Sequence, residues 1–106
     1  MINSLSKVAA VVVPLLSLSG LTAHAAGNAP AGHQLAKQWC NTCHIVEESG
    51  SGPDTAPPFP VIAERRKDRA WVRAWLVAPH PPMPNLNLTR QEIDDVIAYL
   101  DSLASK

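Results

Sequence analysis

The chain has 106 residues, a length typical of one small domain. Nine Lys and Arg residues balance nine Asp and Glu residues, so the formal net charge is zero. That balance excludes a polybasic nucleic-acid binder and an acidic solvating tail. The hydrophobic fraction of 46% excludes a disordered chain. Two cysteines are too few for a disulfide framework.

The N-terminal segment has the three-part layout of a secretory signal peptide. A short n-region with a single lysine precedes an apolar run over residues 8–18, and residues 23–25 (Ala-His-Ala) form a small-x-small cleavage signal. We expect cleavage after Ala25. The alternative is an uncleaved amphipathic or membrane-anchor helix, although the apolar run is short for a bilayer span and Pro14 interrupts it.

The remaining chain, residues 26–106, lies near the lower size limit for a self-sufficient hydrophobic core. Domains below about 70–80 residues usually depend on disulfides, a metal or a cofactor. Cys40 and Cys43 offer at most one disulfide. We therefore expect another group to complete the core.

Helical patterns and proline-rich loops alternate in the first half of this domain. Helix-forming residues predict a helix over residues 31–42, in which Leu35 and Trp39 share one face. Residues 47–60 are rich in Gly and Pro and read as a loop. Pro60 is expected to open a short helical stretch through Ala63.

Two further helices are predicted in the second half. The first runs over residues 68–78 with Asp68 as its N-cap, and a proline-rich loop follows over residues 79–88. Thr89 and Glu92 form a capping box that opens the last helix. Apolar residues then recur with the helical period at Ile93, Val96, Ile97, Leu100 and Leu103.

The motif that carries chemistry is Cys40-Asn41-Thr42-Cys43-His44, or C-x-x-C-H. In an exported chain this spacing is typical of a c-type haem attachment site. Two thiols three residues apart lie on one side of a helical turn, and each can form a thioether to a haem vinyl group. His44 then lies beneath the porphyrin, where its imidazole can bind the iron.

Three other uses of the two cysteines compete with haem attachment. A thioredoxin-like redox pair needs a βαβ context. A zinc site needs two more ligands at motif spacing, and His33, His80 and the acidic residues do not supply a matching pair. A simple disulfide between Cys40 and Cys43 is the third alternative.

A low-spin haem iron needs a sixth ligand, and Met83 is the strongest candidate. Removal of the signal peptide takes away the other methionine, and the loop around Met83 is stiffened by prolines. An axial Met paired with His raises the reduction potential. A core-filling role is the alternative for Met83. His80 is the rival ligand, and His33 is expected to face solvent.

These motifs resemble the class I (monohaem) cytochromes c over residues 32–103. The resemblance implies an all-α cytochrome c fold, with three to four short helices wrapped around one covalently bound haem c. It also implies that residues 26–106 form a single cytochrome c domain after a signal peptide at residues 1–25. The matching positions are Gly32, Cys40, Cys43, His44, Ala56-Pro57-Pro58-Phe59, Met83-Pro84 and Ile97-Ala98-Tyr99-Leu100.

The resemblance also implies roles for single residues. The Pro57 carbonyl would accept a hydrogen bond from His44 Nδ1 and orient the ring, with Pro53 as the rival acceptor. Gly32 would let the first and last helices cross closely. The chain departs from the family at Ala36, where an aromatic residue is usual, so the helix contact would use Leu35 or Trp39.

Two groups of residues near the expected haem have open roles. Trp71 and Trp75 either pack on the haem edge or donate an indole N–H to a haem propionate, which would make Trp75 a cofactor-binding residue. The second group is a run of charged residues. These residues either form a solvated surface, pair with a haem propionate or attract an acidic partner protein. The run consists of Arg65, Arg66, Lys67 and Arg69.

The function implied is one-electron transfer by haem c with His44 and Met83 as axial iron ligands. No residue would need to do acid–base chemistry, so we expect a carrier and not an enzyme. We expect a monomer in the periplasm of a Gram-negative cell, with transient redox protein partners, no nucleic acid and no membrane span in the mature chain. The alternatives are a haem subunit of a periplasmic dehydrogenase and a ligand-binding haem sensor.

Overall fold

The computed structural model of the chain describes residues 8–14 and 27–105. Within these residues the regular secondary structure is entirely helical, as predicted. The helices are α1 (Ala29–Leu35), α2 (Phe59–Arg65), α3 (Arg69–Val77) and α4 (Arg90–Ala104), and α1 continues directly into a π-helical segment, Ala36–Cys40.

Most of the predicted signal peptide, including the cleavage site after Ala25, lies outside the described residues. Of that peptide only residues 8–14 are described, and they are exposed and not helical. No helix in the described part of the chain is long and apolar enough to cross a membrane.

Local capping signals set the starts of α3 and α4, as predicted. Asp68 Oδ1 accepts hydrogen bonds from the backbone N–H groups of Ala70 (3.0 Å) and Trp71 (3.3 Å). At α4, the Glu92 N–H donates to Thr89 Oγ1 (3.1 Å), and the Thr89 N–H donates to Glu92 Oε2 (2.7 Å). These side chains satisfy backbone donors that have no partner within the helix.

The first two helices begin earlier than the sequence pattern suggested. Asn28 caps α1 by accepting from the Ala31 N–H (2.9 Å), and Pro30 stands in the first turn. Pro60 likewise stands in the first turn of α2, which starts at Phe59. Proline is tolerated there because the first-turn N–H groups have no helical acceptor.

Helices α1 and α4 cross with their backbones in close approach at Gly32. A Cβ atom at Gly32 would overlap the carbonyl group of Asp95, so only glycine fits without a shift of the helices. The buried Asp95 carboxylate accepts from the Asn28 N–H (2.8 Å) and from Gln91 Nε2 (2.9 Å). These hydrogen bonds hold the start of α1 against α4. The close crossing of the two helices at Gly32 is the one expected from the sequence.

Helix α4 contacts α1, α2 and α3 and forms the spine of the core. Arg69 Nε donates to Asp101 Oδ1 (2.6 Å), and Arg73 pairs with Asp94, so two ion pairs join α3 to α4. The buried core residues are Ala36, Val46, Phe59, Ala63, Val72, Ile93, Val96, Ile97, Tyr99, Leu100 and Leu103.

Candidate haem site

The π-helical segment delivers the C-x-x-C-H motif to the end of α1. Its wider turn rotates the following residues, and such segments occur frequently at functional sites. Ala36 is fully buried, whereas Trp39 is 53% exposed. Leu35 packs against the core, so Leu35 and not Trp39 serves the helix contact. The sequence pattern had placed both residues on one face because it assumed a regular α-helix.

A tight turn presents the two thiols and His44 together. The N–H groups of Cys43 (3.2 Å) and His44 (3.0 Å) both donate to the Cys40 carbonyl. Both cysteines are free; Cys40 is half-buried and Cys43 is exposed. Burial raises the pKa of the Cys40 thiol to about 11. A redox-active thiol is expected to have a lowered pKa, so the surroundings of Cys40 do not activate it as a redox thiol.

The zinc-site alternative also lacks a set of ligands in the described part of the chain. Within residues 8–14 and 27–105, no group of three or more His, Cys, Asp or Glu side chains could hold a metal ion.

His44 is oriented by the carbonyl of Pro57. Its Nδ1 lies 2.6 Å from the Pro57 oxygen, and Pro57 rather than Pro53 is the acceptor. A carbonyl only accepts, so Nδ1 carries the proton and Nε2 of the neutral ring keeps its lone pair. That tautomer is the one that binds a metal through Nε2.

Two backbone hydrogen bonds hold Pro57 opposite His44. The Ala56 N–H donates to the Cys43 carbonyl (3.0 Å), and the Phe59 N–H donates to the Ile45 carbonyl (2.8 Å). The Phe59 ring also meets the imidazole edge-on, with centroids 5.4 Å apart. The loop that separates these partners in sequence is therefore closed at its base, beside the imidazole.

Met83 lies half-buried in the loop between α3 and α4. Trp75 Nε1 lies 3.1 Å from Met83 Sδ and donates to it. The Met83 N–H donates to the His80 carbonyl (3.1 Å), which closes a turn. His80 itself is exposed, and its ring lies 4.9 Å from that of Trp75.

His33 was expected to face solvent; its side chain is 29% exposed and also has protein partners. Its Nε2 contacts the two carboxylate oxygens of Glu47 at 2.8 and 3.0 Å. Its ring stacks on Tyr99 with centroids 4.6 Å apart, and Tyr99 Oη donates to the Val46 carbonyl (2.6 Å). No local sequence signal indicates this cluster, because its members come from α1, the motif loop and α4.

The charged run divides into residues with different tasks. Arg69 joins α3 to α4 through Asp101, and Lys67 Nζ lies 3.6 Å from Glu64. The Arg66 guanidinium lies over the Trp71 ring, 4.2 Å from its centroid. Arg65 is exposed.

The donor groups at this site suit haem c. The imidazole oriented by Pro57 and the two reduced thiols on one turn are groups that such a haem requires, and Met83 offers a thioether in the loop between α3 and α4. His44, Met83, Cys40 and Cys43 are the residues that would hold the haem.

Comparisons with known proteins agree with this chemistry. The family model described as "Cytochrome c" matches residues 29–104. The chain is also 38% identical over 79 residues to a cytochrome c-552 of Bradyrhizobium diazoefficiens. The aligned region covers 71% of this chain and 76% of that relative. The search of solved structures found no match. The chain therefore belongs to the cytochrome c family and is an electron-transfer protein with one covalently bound haem c.

Proposed function

We propose that the protein is a one-electron carrier whose haem iron is bound axially by His44 and Met83. Cys40 and Cys43 would form the two thioether bonds. The observation that supports this proposal most is that a hydrogen bond already orients each of the two proposed ligands, His44 and Met83. Nδ1 of His44 faces the Pro57 carbonyl (2.6 Å), and Sδ of Met83 faces Trp75 Nε1 (3.1 Å). These hydrogen bonds leave one lone pair free for the metal on His44 Nε2 and one on Met83 Sδ.

The protein residues would hold the ligands in place and keep water away. The haem iron supplies the one-electron couple when bound. His44 is fixed from two sides, by Pro57 and by the Phe59 ring edge. Met83 is fixed by the turn with His80 and by the Trp75 indole. Preset ligands change little between the two oxidation states, and no side chain needs to move a proton.

We further propose that the protein acts in the periplasm after cleavage behind Ala25. The signal-peptide layout and the C-x-x-C-H motif support export. The monomer would meet its redox partners transiently, because the balanced charge provides only weak long-range attraction. We propose no nucleic-acid partner and no membrane span in the mature chain.

A haem subunit of a periplasmic dehydrogenase is the second candidate function. Exposed apolar residues favour it: Trp39 is 53% exposed, Trp71 39% and Val77 59%. Phe59, in contrast, is buried at 5% exposure and cannot contribute to such a surface. Such residues favour a lasting interface only when they form one patch. Size-exclusion chromatography of the natively expressed protein distinguishes a free monomer from a subunit in a larger assembly.

Carbon monoxide separates the carrier from a ligand-binding sensor. We expect the ferrous holoprotein to titrate reversibly with one electron and not to bind carbon monoxide at neutral pH. Met83→Ala should open the sixth position and bind the gas. Gln34→Ala, at an exposed position on α1, is the control and should remain closed. Binding by the unmodified ferrous protein would overturn the carrier proposal and favour a sensor.

A further inference from the structure

We propose that Arg66 and Trp71 form the docking surface for an acidic redox protein, and that the stacked indoles beneath it carry the electron to or from Met83. The inference rests on the proposed axial role of Met83. Trp71 belongs to the first turn of α3 and is 39% exposed, and Arg66 precedes this helix and is exposed. Both residues are therefore accessible to another protein.

Positive charge is concentrated beside this pair of residues. Residues 65–69 contain four of the nine Lys and Arg residues of a chain that has no formal net charge. Arg69 and Lys67 have carboxylate partners, whereas no carboxylate of the described residues lies within ion-pair distance of Arg65 or Arg66. Two exposed arginines without such partners attract a negatively charged surface and orient it as it approaches. The partner that fits is a redox protein with carboxylates around its electron-transfer site.

The Arg66 side chain is held in a position that suits a carboxylate. Its guanidinium lies over the Trp71 ring, 4.2 Å from the ring centroid, in a cation–π contact. None of its guanidinium N–H groups has an acceptor among the residues that the structure describes. The planar group can therefore donate two parallel hydrogen bonds to a carboxylate. Arg and Trp are also among the residue types that contribute most to binding energy at protein interfaces.

Behind Trp71, a second indole connects this surface to the proposed iron ligand. Trp71 and Trp75 are four residues apart on α3, so they share one side of the helix. Their rings stack with centroids 5.3 Å apart and an interplanar angle of 17°. Trp75 Nε1 in turn lies 3.1 Å from Met83 Sδ. The single N–H of Trp75 is thus directed at the sulfur, instead of the haem propionate that the sequence left open.

This series of contacts offers a path for electron transfer. Electron tunnelling slows with distance much more steeply through empty space than through packed and bonded atoms. From the exposed Trp71 ring to the Met83 sulfur, each group contacts the next. One electron would pass from the ferrous protein to the partner, so that the protein becomes ferric and the partner's redox centre is reduced. No bond forms or breaks, and no proton moves.

A second exposed indole provides the comparison for this surface. Trp39 is 53% exposed and directly precedes Cys40, which makes it the alternative contact for a redox partner. Residues 38–46 around it contain no Asp, Glu, Lys or Arg. That segment suits an uncharged partner, whereas Arg66 and Trp71 suit an acidic one. The charge of the partner therefore decides between the two surfaces.

The first test locates anion binding on the ferrous holoprotein by NMR. The probe is hexacyanochromate(III), a paramagnetic trianion that exchanges no electron with the protein and broadens the signals of nearby protons. At low ionic strength we expect the strongest broadening at the Trp71 indole, and Arg66→Gln should reduce it several-fold. Arg90→Gln is the matched control, because it removes the same charge from an exposed arginine at the start of α4. It should leave the broadening at Trp71 unchanged.

The second test measures how fast hexacyanoferrate(III), an anion of the same charge and similar size, oxidises the ferrous holoprotein. Arg66→Gln should slow the reaction about threefold or more at low ionic strength, and much less at about 1 M salt, where the screening length is about 3 Å. Trp71→Leu keeps the arginine and interrupts the stack, so it should slow the reaction several-fold at both salt concentrations. Trp71→Phe retains a ring in the stack and should restore most of the rate. Trp39→Leu is the matched control and should leave the rate unchanged.

The outcomes separate this inference from the proposed function. Each variant should keep the long-wavelength sulfur-to-iron charge-transfer band of the ferric form, since none replaces a proposed iron ligand. If the anion broadens signals around Trp39 instead, or if Trp39→Leu slows the oxidation and Trp71→Leu does not, the inference is wrong and the carrier function stands. A loss of rate in Trp71→Leu that only matches a loss of anion binding overturns the electron path. A ferric holoprotein without the band overturns the axial role of Met83, and the inference with it.

Discussion

Tyr99 joins three parts of the molecule that are distant in sequence. Its ring stacks on His33 of α1, and its hydroxyl donates to the Val46 carbonyl in the motif loop (2.6 Å). The residue belongs to α4 and is 7% exposed. The contact holds the chain just after His44 against the core, so Tyr99 supports the proposed haem ligand His44 indirectly.

The stability of the protein should depend on pH through Tyr99. Burial and, to a smaller extent, the charges of Glu47 and Glu48 raise the pKa of the Tyr99 hydroxyl. The unfolded chain then loses this proton first, near its ordinary pKa of about 10. The stabilisation is complete below that pH and is lost as the pH rises through the higher folded-state pKa. Urea unfolding at a series of pH values measures this slope.

Tyr99→Phe is the decisive variant, because the chain has a single tyrosine. It should lower the free energy of unfolding at neutral pH by about 1–2 kcal/mol, since the Val46 carbonyl loses its donor. It should also flatten the decline of stability above pH 10. An unchanged decline in Tyr99→Phe would show that other groups cause it.

At the scale of elements, local signals predicted α3 and α4 well. Asp68, Thr89 and Glu92 cap helices through bonds that span two or three residues, so the sequence contains the whole signal. The π-helical segment at Ala36–Cys40 had no such signal. The segment follows the crossing of α1 with α4, where Gly32 and Asp95 meet, and no local pattern of residues marks the change from α-helix to π-helix.

The crossing of α1 and α4 can be tested with Gly32→Ala. The added Cβ would overlap the Asp95 carbonyl, so the helices must separate. Overpacking of this kind costs about 1–3 kcal/mol. The higher helix propensity of alanine offsets only about 1 kcal/mol of that cost. We expect a net loss in the free energy of unfolding and a lower midpoint in thermal denaturation.

Gln34→Ala is the matched control on the same helix. Gln34 is exposed, so its substitution should change the free energy of unfolding by less than about 0.5 kcal/mol. Equal stability of Gly32→Ala and the unmodified protein would contradict the close crossing.

At the scale of the whole molecule, the haem could be predicted from the sequence, whereas several side-chain contacts could not. Cys40, Cys43 and His44 form a contiguous motif, and resemblance to cytochromes c pointed to Pro57, whose carbonyl faces His44. The axial role of Met83 stays a prediction. The contacts of Trp75 with Met83 and of His33 with Glu47 were not predicted. Each joins side chains whose approach depends on how helices and loops pack together.

The proposed export and cleavage behind Ala25 predict a defined product. Expression with a c-type haem maturation system should yield a periplasmic protein with the mass of residues 26–106 plus one haem. A double variant, Cys40→Ala with Cys43→Ala, should lose the covalent haem. Intact mass spectrometry of the periplasmic fraction measures both. A full-length chain recovered with the membranes would favour the uncleaved anchor helix.

The most direct test of axial ligation by His44 and Met83 is the absorption spectrum of the ferric holoprotein. If His44 and Met83 bind the iron, the weak long-wavelength sulfur-to-iron charge-transfer band is present in the unmodified protein. The band should persist in His80→Ala and vanish in Met83→Ala, while the haem stays covalently bound in both. A protein that lacks the band, or a Met83→Ala variant that keeps it, would contradict axial ligation by Met83.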